Sequence, residues 1–196
     1  MQVCEVSALI LCGGHSSRMG QNKAMLPLGG KTLLEHQIAK LRGLGSGDIW
    51  VSGHEPCPEG VHFVADVFAE SGPLGGIHAG LLHIQNPAAL VIPVDMPLLP
   101  RHTLRRLVEA HGGGITVLAL GEQPQPLVAV YDKALAPLCA SLLQAGKPGP
   151  RRLFELVEVQ TVPFTGDPTG LMNCNTPQEF RQLQQIYAQT CAEGTT

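Results

Sequence analysis

The chain has 196 residues, of which 44% are hydrophobic and 15% charged, and its formal net charge is -3. Such a composition buries a sizeable core and excludes disorder, and the absence of any Lys/Arg run excludes the electrostatic footprint of a nucleic-acid binder. No apolar run reaches the roughly 18 to 20 residues that a bilayer span needs. The opening MQVCEVSALILCGG carries neither a basic leader nor a small-residue cleavage site. The six cysteines (Cys4, Cys12, Cys57, Cys139, Cys174, Cys191) form no C-x-x-C pair and share no metal-ligand spacing with the eight histidines. They read as reduced thiols of a cytoplasmic protein.

In chain order, VSALILC (6–12) is a continuous apolar run, the pattern of a strand covered on both faces. TLLEHQIAKLRGL (32–44) follows with Leu33, Leu34, Ile38, Leu41 and Leu44 at helical spacing. GLGSG (43–47) follows a helix rather than a strand, so it reads as a glycine stop and turn instead of a dinucleotide fingerprint. DIWVS (48–52) and VHFVA (61–65) predict two short strands, GIHAGLLHIQ (76–85) a helix, ALVIPV (89–94) a strand and LRRLVEAH (104–111) a helix. Next come strands at ITVLAL (115–120) and PLVAVYD (126–132), helices at ALAPLCASLLQAG (134–146) and RRLFELV (151–157), and a strand at EVQTVPF (158–164). A last helix is announced by Thr176 as N-cap, Pro177 at the first helical position and Glu179 completing a capping box. With no internal repeat and no linker, this alternation predicts a single α/β layer sandwich with a mostly parallel sheet.

Ligands of such sheets sit beyond the carboxyl ends of the strands, where three segments carry unusual residues. Gly13 and Gly14 follow the first strand and let backbone N–H groups approach a phosphate or a flat base. Arg18 and Lys23, with the hydroxyls of Ser16 and Ser17, lie in the same loop, as phosphate cations or as solvated surface charges. GGKT (29–32) is not a phosphate-binding P-loop, because Met25 stands where its first glycine is required. It reads as a turn and helix start. In VIPVDMPLL (91–99), Asp95 closes a buried strand as either a turn-former or a hard-cation ligand. In VADVFAESGPLGG (64–76), Asp66 supplies a second carboxylate for a metal or a ribose, and Glu70 reads as a solvated loop carboxylate.

Taken in order, G-G-x-S-x-R-M-G-x-x-K after the first strand, an Asp followed by G-P-L-x-G, then D-M-P, then LMNCNTPQEF (171–180) resemble the molybdenum cofactor guanylyltransferases from Leu9 to about Leu183. The resemblance implies a Rossmann-like three-layer sandwich and a single nucleotidyltransferase domain over 1–196. Its nucleotide side would lie mainly in 6–110 and its acceptor side mainly in 111–185. It further implies GTP as donor, Mg2+, and molybdopterin as acceptor. Molybdenum-insertion proteins and acceptor molybdoenzymes or their chaperones are the implied partners. Residue by residue, it places Leu11, Cys12, Gly13 and Gly14 along base and phosphates, and Arg18 and Lys23 at the phosphates. Ser52, Asp66 and Asp95 complete the pocket, with Asp95 on Mg2+, and Asn173 and Asn175 lie toward the acceptor. Cys12 stands where relatives often have alanine and Ser52 where they have asparagine. The Gly-Gly pair accompanies guanine in relatives, whereas pyrimidine users tend to have alanines there.

The implied chemistry is in-line nucleotidyl transfer, in which the protein contributes mostly position and charge neutralisation. A phosphate monoester is already largely ionised at neutral pH, so no general base is needed and the histidines, His78 and His83 included, read as structural. The alternatives are a cytidylyl- or sugar-phosphate nucleotidyltransferase on the same loop, and a non-catalytic nucleotide binder, which would need neither Lys23 nor Asp95.

Overall fold

The computed structural model describes residues 2–13, 22–53, 57–68 and 71–193. Strand β1 (Ser7–Leu11) is buried at every position, as its unbroken apolar run requires. It is followed by a small hairpin, β2 (Pro27–Leu28) and β3 (Lys31–Thr32), before helix α1 (Leu33–Arg42). Gly29 and Gly30 make the hairpin turn with φ of 55° and 82°, which is where the GGKT glycines are used. Thr32 then caps α1, its hydroxyl accepting from Glu35 N at 3.2 Å while the Glu35 carboxylate accepts from Thr32 N at 2.7 Å.

The chain continues through β4 (Ile49–Ser52), β5 (His62–Val64), α2 (Gly72–His83), β6 (Ala88–Pro93) and α3 (Arg101–Ala110). It ends with β7 (Ile115–Leu120), β8 (Gln123–Asp132), α4 (Ala136–Gln144), β9 (Val159–Pro163) and α5 (Pro177–Glu193). The sheet order is β5-β4-β1-β6-β8-β7-β9, parallel except for β8, which runs antiparallel between β6 and β7. Alternate residues of the strands feed two cores. One joins Ala8, Ile10, Val51 and Ile92 to α1, α3 and α5; the other joins Leu9, Leu11, Val91 and Val117 to α2 and α4. The result is the expected three-layer Rossmann-like arrangement.

Beyond the β2–β3 hairpin and an earlier start of α3 at Arg101, three further elements depart from the sequence reading. Helix α2 starts at Gly72 rather than 76, because Pro73 in its first turn has a ring-fixed φ suited to a helix start. Strand β8 extends back to Gln123 through Pro124 and Pro126, and the β7–β8 register shifts between Val117 and Leu118, the irregularity that lets prolines without N–H groups stay in a strand. The segment at 151–157 forms only a 3-10 turn, Pro150–Glu155. Among the described residues, no helix is long and apolar enough to cross a membrane.

Helix α2 sits close against the centre of the sheet because Gly80 has no side chain. A Cβ there would clash with Leu9 Cδ2 and lie 2.8 Å from Leu9 Cδ1, on a residue with no exposed surface. Gly80→Ala is therefore expected to lose about 1–2 kcal/mol, overpacking outweighing the gain in helix propensity. A lower urea midpoint at unchanged slope is the expected reading, and an unchanged midpoint would show that Leu9 can repack.

Candidate active site

From β1 the chain extends the sheet one way through β4 and β5, then crosses over by α2 to place β6 on the other side of β1. Where the strand order reverses, the connections leave β1 and β6 in opposite directions and open a cleft beyond their carboxyl ends. Leu11, Cys12 and Gly13 form one wall of that cleft and Pro93, Val94 and Asp95 the other. Pro73 from the start of α2, Leu127 from β8, Lys23 and Asn175 complete it among the described residues.

Lys23 is the centre of this arrangement. It opens a 3-10 turn capped by the Asn22 side chain, which accepts from Ala24 N at 3.0 Å. Its ammonium donates to Asp95 Oδ2 at 3.0 Å and to Asn175 Oδ1 at 2.5 Å. Both side chains of the ion pair are 18% exposed. Such a pair at the edge of water stabilises a fold by at most about 1 kcal/mol, so its main effect is placement. The Asp95 carboxylate keeps one oxygen not engaged by Lys23, and the ammonium, with three donors, keeps one beyond these two bonds.

The main chain around Asp95 is tied on several sides. Val94 N donates to Leu11 O at 3.0 Å, and Cys174 N donates to Asp95 O at 3.2 Å with the Cys174 thiol 3.6 Å from the same oxygen. Burial beside Asp95 pushes that thiol up to about 11. The Cys12 thiol is pushed higher still by burial, then by Cys57 and Asp95. Both are therefore protonated packing groups rather than nucleophiles. The capping box of α5 is present: Glu179 Oε2 accepts from Thr176 N at 2.9 Å and also from Asn175 N at 2.8 Å, fixing the residue that holds Lys23. These backbone N–H bonds, foremost that from Asn175, lower the Glu179 carboxyl below its ordinary value.

Ser52 and Asp66 do not line this cleft. They pair with each other, Ser52 Oγ donating to Asp66 Oδ1 at 2.9 Å. Both lie near α2, and a Cβ on Gly76 would stand 2.7 Å from Ser52 Oγ and 3.0 Å from Leu11 Cδ2. Asn173 is exposed and lies outside the lining. Gly14, Ser16, Ser17, Arg18 and Glu70 fall outside the described residues. Gly13 has no left-handed φ, and among the described residues a Cβ there would meet only Gly53 Cα at 3.9 Å, so none of their packing demands its lack of a side chain. Gly53 is different. It has φ of 83°, and a Cβ would stand 2.5 Å from Gly13 N and 2.6 Å from Gly13 Cα. Sequence reasoning missed Gly53, Pro73, Leu127 and the Cys174 tie.

His83 and His111 serve the framework. His83 bonds Ala79 O at 2.9 Å, and His111 lies between Thr116 Oγ1 and Asp132 Oδ1, both at 2.9 Å. That Asp–His–Thr chain has the order of a hydrolase triad. Thr116 has no exposed surface, however, and the chain sits at the amino end of β7, across the sheet from the cleft. Among the described residues no cluster of three or more His, Cys, Asp or Glu side chains is arranged to hold a metal unaided. Asp95 offers the one-carboxylate donor set that Mg2+ accepts when substrate phosphates supply further ligands.

The profile described as the MobA-like NTP transferase domain matches residues 8–162. The chain belongs to this family. Among similar MobA-like proteins, the molybdenum cofactor guanylyltransferase of Xanthomonas euvesicatoria is 35% identical over 182 residues, covering 90% of this chain and 93% of that protein. The molybdenum cofactor guanylyltransferase of Photobacterium profundum is 32% identical over 189 residues, covering 92% and 96%. The crystal structure of molybdopterin-guanine dinucleotide biosynthesis protein A from Archaeoglobus fulgidus matches with a TM-score of 0.76, covering 94% of this chain and 100% of that one. At 22% identity this is a likeness of fold.

Two outcomes follow for this MobA-like chain. Gly53→Ala drives a side chain into the Gly13 backbone from a left-handed position, and is expected to cost about 2 kcal/mol and to weaken nucleoside triphosphate binding by about tenfold or more. Denaturation and nucleotide titration read the two effects, and unchanged affinity would separate Gly53 from the cleft.

Lys40 of α1 reaches Pro97 O at 2.9 Å, and burial, then Arg101, lower its ammonium to about 7. The folded chain then holds this proton less tightly than the unfolded chain does. The penalty is full below pH 7 and relieved as pH rises toward the ordinary lysine value. Relative to Lys40→Met, wild type should therefore gain stability between pH 7 and 9. A constant difference in urea midpoints would refute this.

Proposed function

We propose that this MobA-like nucleotidyltransferase transfers GMP from GTP to molybdopterin, forming the guanine dinucleotide cofactor and pyrophosphate. The observation that carries the reading is the Lys23 ammonium joined to both Asp95 and Asn175 at the strand-order reversal. A cation there neutralises phosphate charge between a carboxylate on the nucleotide side and an asparagine on the acceptor side. The guanylyltransferase relatives along almost the whole chain support the choice of substrates. In this reading one domain covers 1–196, with its nucleotide side mainly in 6–110 and its acceptor side mainly in 111–185.

Leu11, Cys12, Gly13 and Gly14 carry the base and phosphates, and Arg18 and Lys23 meet the phosphates. Ser52 and Asp66 form a buttressed pair at the nucleoside end, and Asn173 and Asn175 face the acceptor. An oxygen of the acceptor's terminal phosphate attacks the α-phosphorus of GTP, the bond to the β-bridging oxygen breaks, and pyrophosphate leaves. Lys23 meets the charge gathering on the departing oxygens, and no side chain has to take a proton because the attacking phosphate is already ionised. Asp95 would hold Mg2+, which when bound supplies charge neutralisation and orientation of the triphosphate. Molybdenum-insertion proteins and recipient molybdoenzymes or their chaperones would exchange substrate and product with the chain, in the cytoplasm.

Pyrophosphate release with GTP, CTP and other triphosphates, in the presence of molybdopterin and Mg2+, tests the reading. GTP should be preferred, and faster turnover with CTP or with a sugar phosphate acceptor would assign a sister reaction instead. Lys23→Ala and Asp95→Asn should each fold, retain measurable GTP binding and lose about 100 to 1,000 fold in turnover, since both act on charge that develops in the transition state. Turnover of Asp95→Asn within a few fold of wild type would overturn the assignment of Asp95.

A further inference from the structure

Helix α1 lies under the cleft, and its buried stripe of Leu33, Leu34, Ile38 and Leu41 is interrupted by Gln37, which has no exposed surface. The Gln37 amide nitrogen donates to Pro93 O and to Met96 O, both at 2.9 Å. Both neighbours are acceptors, so the NH2 must face them. The two carbonyls flank Asp95 in sequence, one at the end of β6 and one just past the carboxylate-bearing residue. Gln37 thus spans the turn as a strut. Its own Oε1 is buried and has no hydrogen-bond partner among the described residues.

An unpartnered buried acceptor is unfavourable, and a methionine would fill similar volume without one. Packing alone gives no reason for a glutamine here; the two bonds to the Asp95 turn do. A carboxylate that orients Mg2+ must be held to about 0.5 Å, because that ion tolerates little departure from octahedral geometry. We infer that Gln37 is a positioning residue for Asp95, its amide setting the height of the turn from beneath. This rests on the proposed role of Asp95.

The test compares wild type, Gln37→Met, Gln37→Glu and Asp95→Asn. The readouts are thermal midpoint, steady-state transfer, and Mn2+ affinity in the presence of GTP by electron paramagnetic resonance. Gln37→Met removes the orphaned acceptor but also the donors of the Pro93 and Met96 carbonyls, so its midpoint should fall by about 2–8 °C with the fold kept. Loss of a group that orients a metal ligand should lower Mn2+ affinity and kcat by about 10 to 100 fold, with KM for GTP within about threefold. Gln37→Glu sets a carboxyl against two carbonyls and should show the same losses with a lower midpoint.

A purely structural role predicts a lower midpoint for Gln37→Met with unchanged Mn2+ affinity, and that result overturns the inference. So does failure of both Gln37 variants to fold. If wild type binds Mn2+ through Asp95 but does not guanylylate molybdopterin, the proposed function fails while the Mn2+ comparison still decides the role of Gln37. Equal Mn2+ affinity of wild type and Asp95→Asn overturns the metal role of Asp95 and with it the inference on Gln37, while guanylylation of molybdopterin still decides the proposed function.

Discussion

Everything at the cleft depends on one ammonium group shared between two acceptors. Lys23 lies 72 residues from Asp95 and 152 residues from Asn175 along the chain, and its side chain is where the three segments meet. The sheet brings the ends of β1 and β6 side by side, but it does not by itself bring the start of α5 to them. Apolar packing of Cys174 and Leu183 docks the last segment, and hydrogen bonds set its place at the cleft: Cys174 N on Asp95 O, and the Glu179 carboxylate holding the amides of Asn175 and Thr176. Fold and site are joined by short polar contacts laid over a sheet that needs none of them for its core.

The two faces of the sheet serve the cleft differently. On the α2 face the means is omission: Gly76 leaves room for Ser52 and Leu11, Gly80 for Leu9, and at the end of β4 Gly53 for the Gly13 backbone. On the α1 face it is addition, with Gln37 and Lys40 reaching up to three carbonyls of the turn that bears Asp95. One wall is thereby brought close and the other is held in place.

Most of the architecture was legible in the sequence because burial on both sides leaves an unbroken apolar run, as in residues 6–12, and helices with one buried stripe repeat it at 3.6 residues. The turn glycines and the Thr176–Glu179 box were legible for the same local reason. Strand β8 is longer than the pattern predicts because prolines at 124 and 126 look like breakers until a register shift against β7 accommodates them, beyond the stretch of β8 that β6 pairs with. In the cleft, Lys23, Asp95 and Asn175 could be named from their motifs, but their convergence could not, because no local pattern encodes contacts across such separations. The Ser52–Asp66 pair needed the packing of α2 to be seen. Gln37 did leave a signal, a polar residue on an otherwise apolar stripe, whose meaning required the turn above it.

The distance along the chain between Lys23 and Asn175 also bears on how the protein is made. Contacts between remote segments cost closure entropy and form late, and a ribosome delivers the chain from its amino end at about 5–20 residues per second. The β1–β4 and β1–β6 pairings need only the first half of the chain. The lysine's second partner arrives with α5, whose Tyr187 ring packs against His36 at 5.2 Å and over the Gly29 turn. A nascent chain thus carries Lys23 and the Asp95 turn well before it carries Asn175, the second acceptor of the ammonium. The three-way contact at Lys23 can close only once the segment bearing Asn175 has been made.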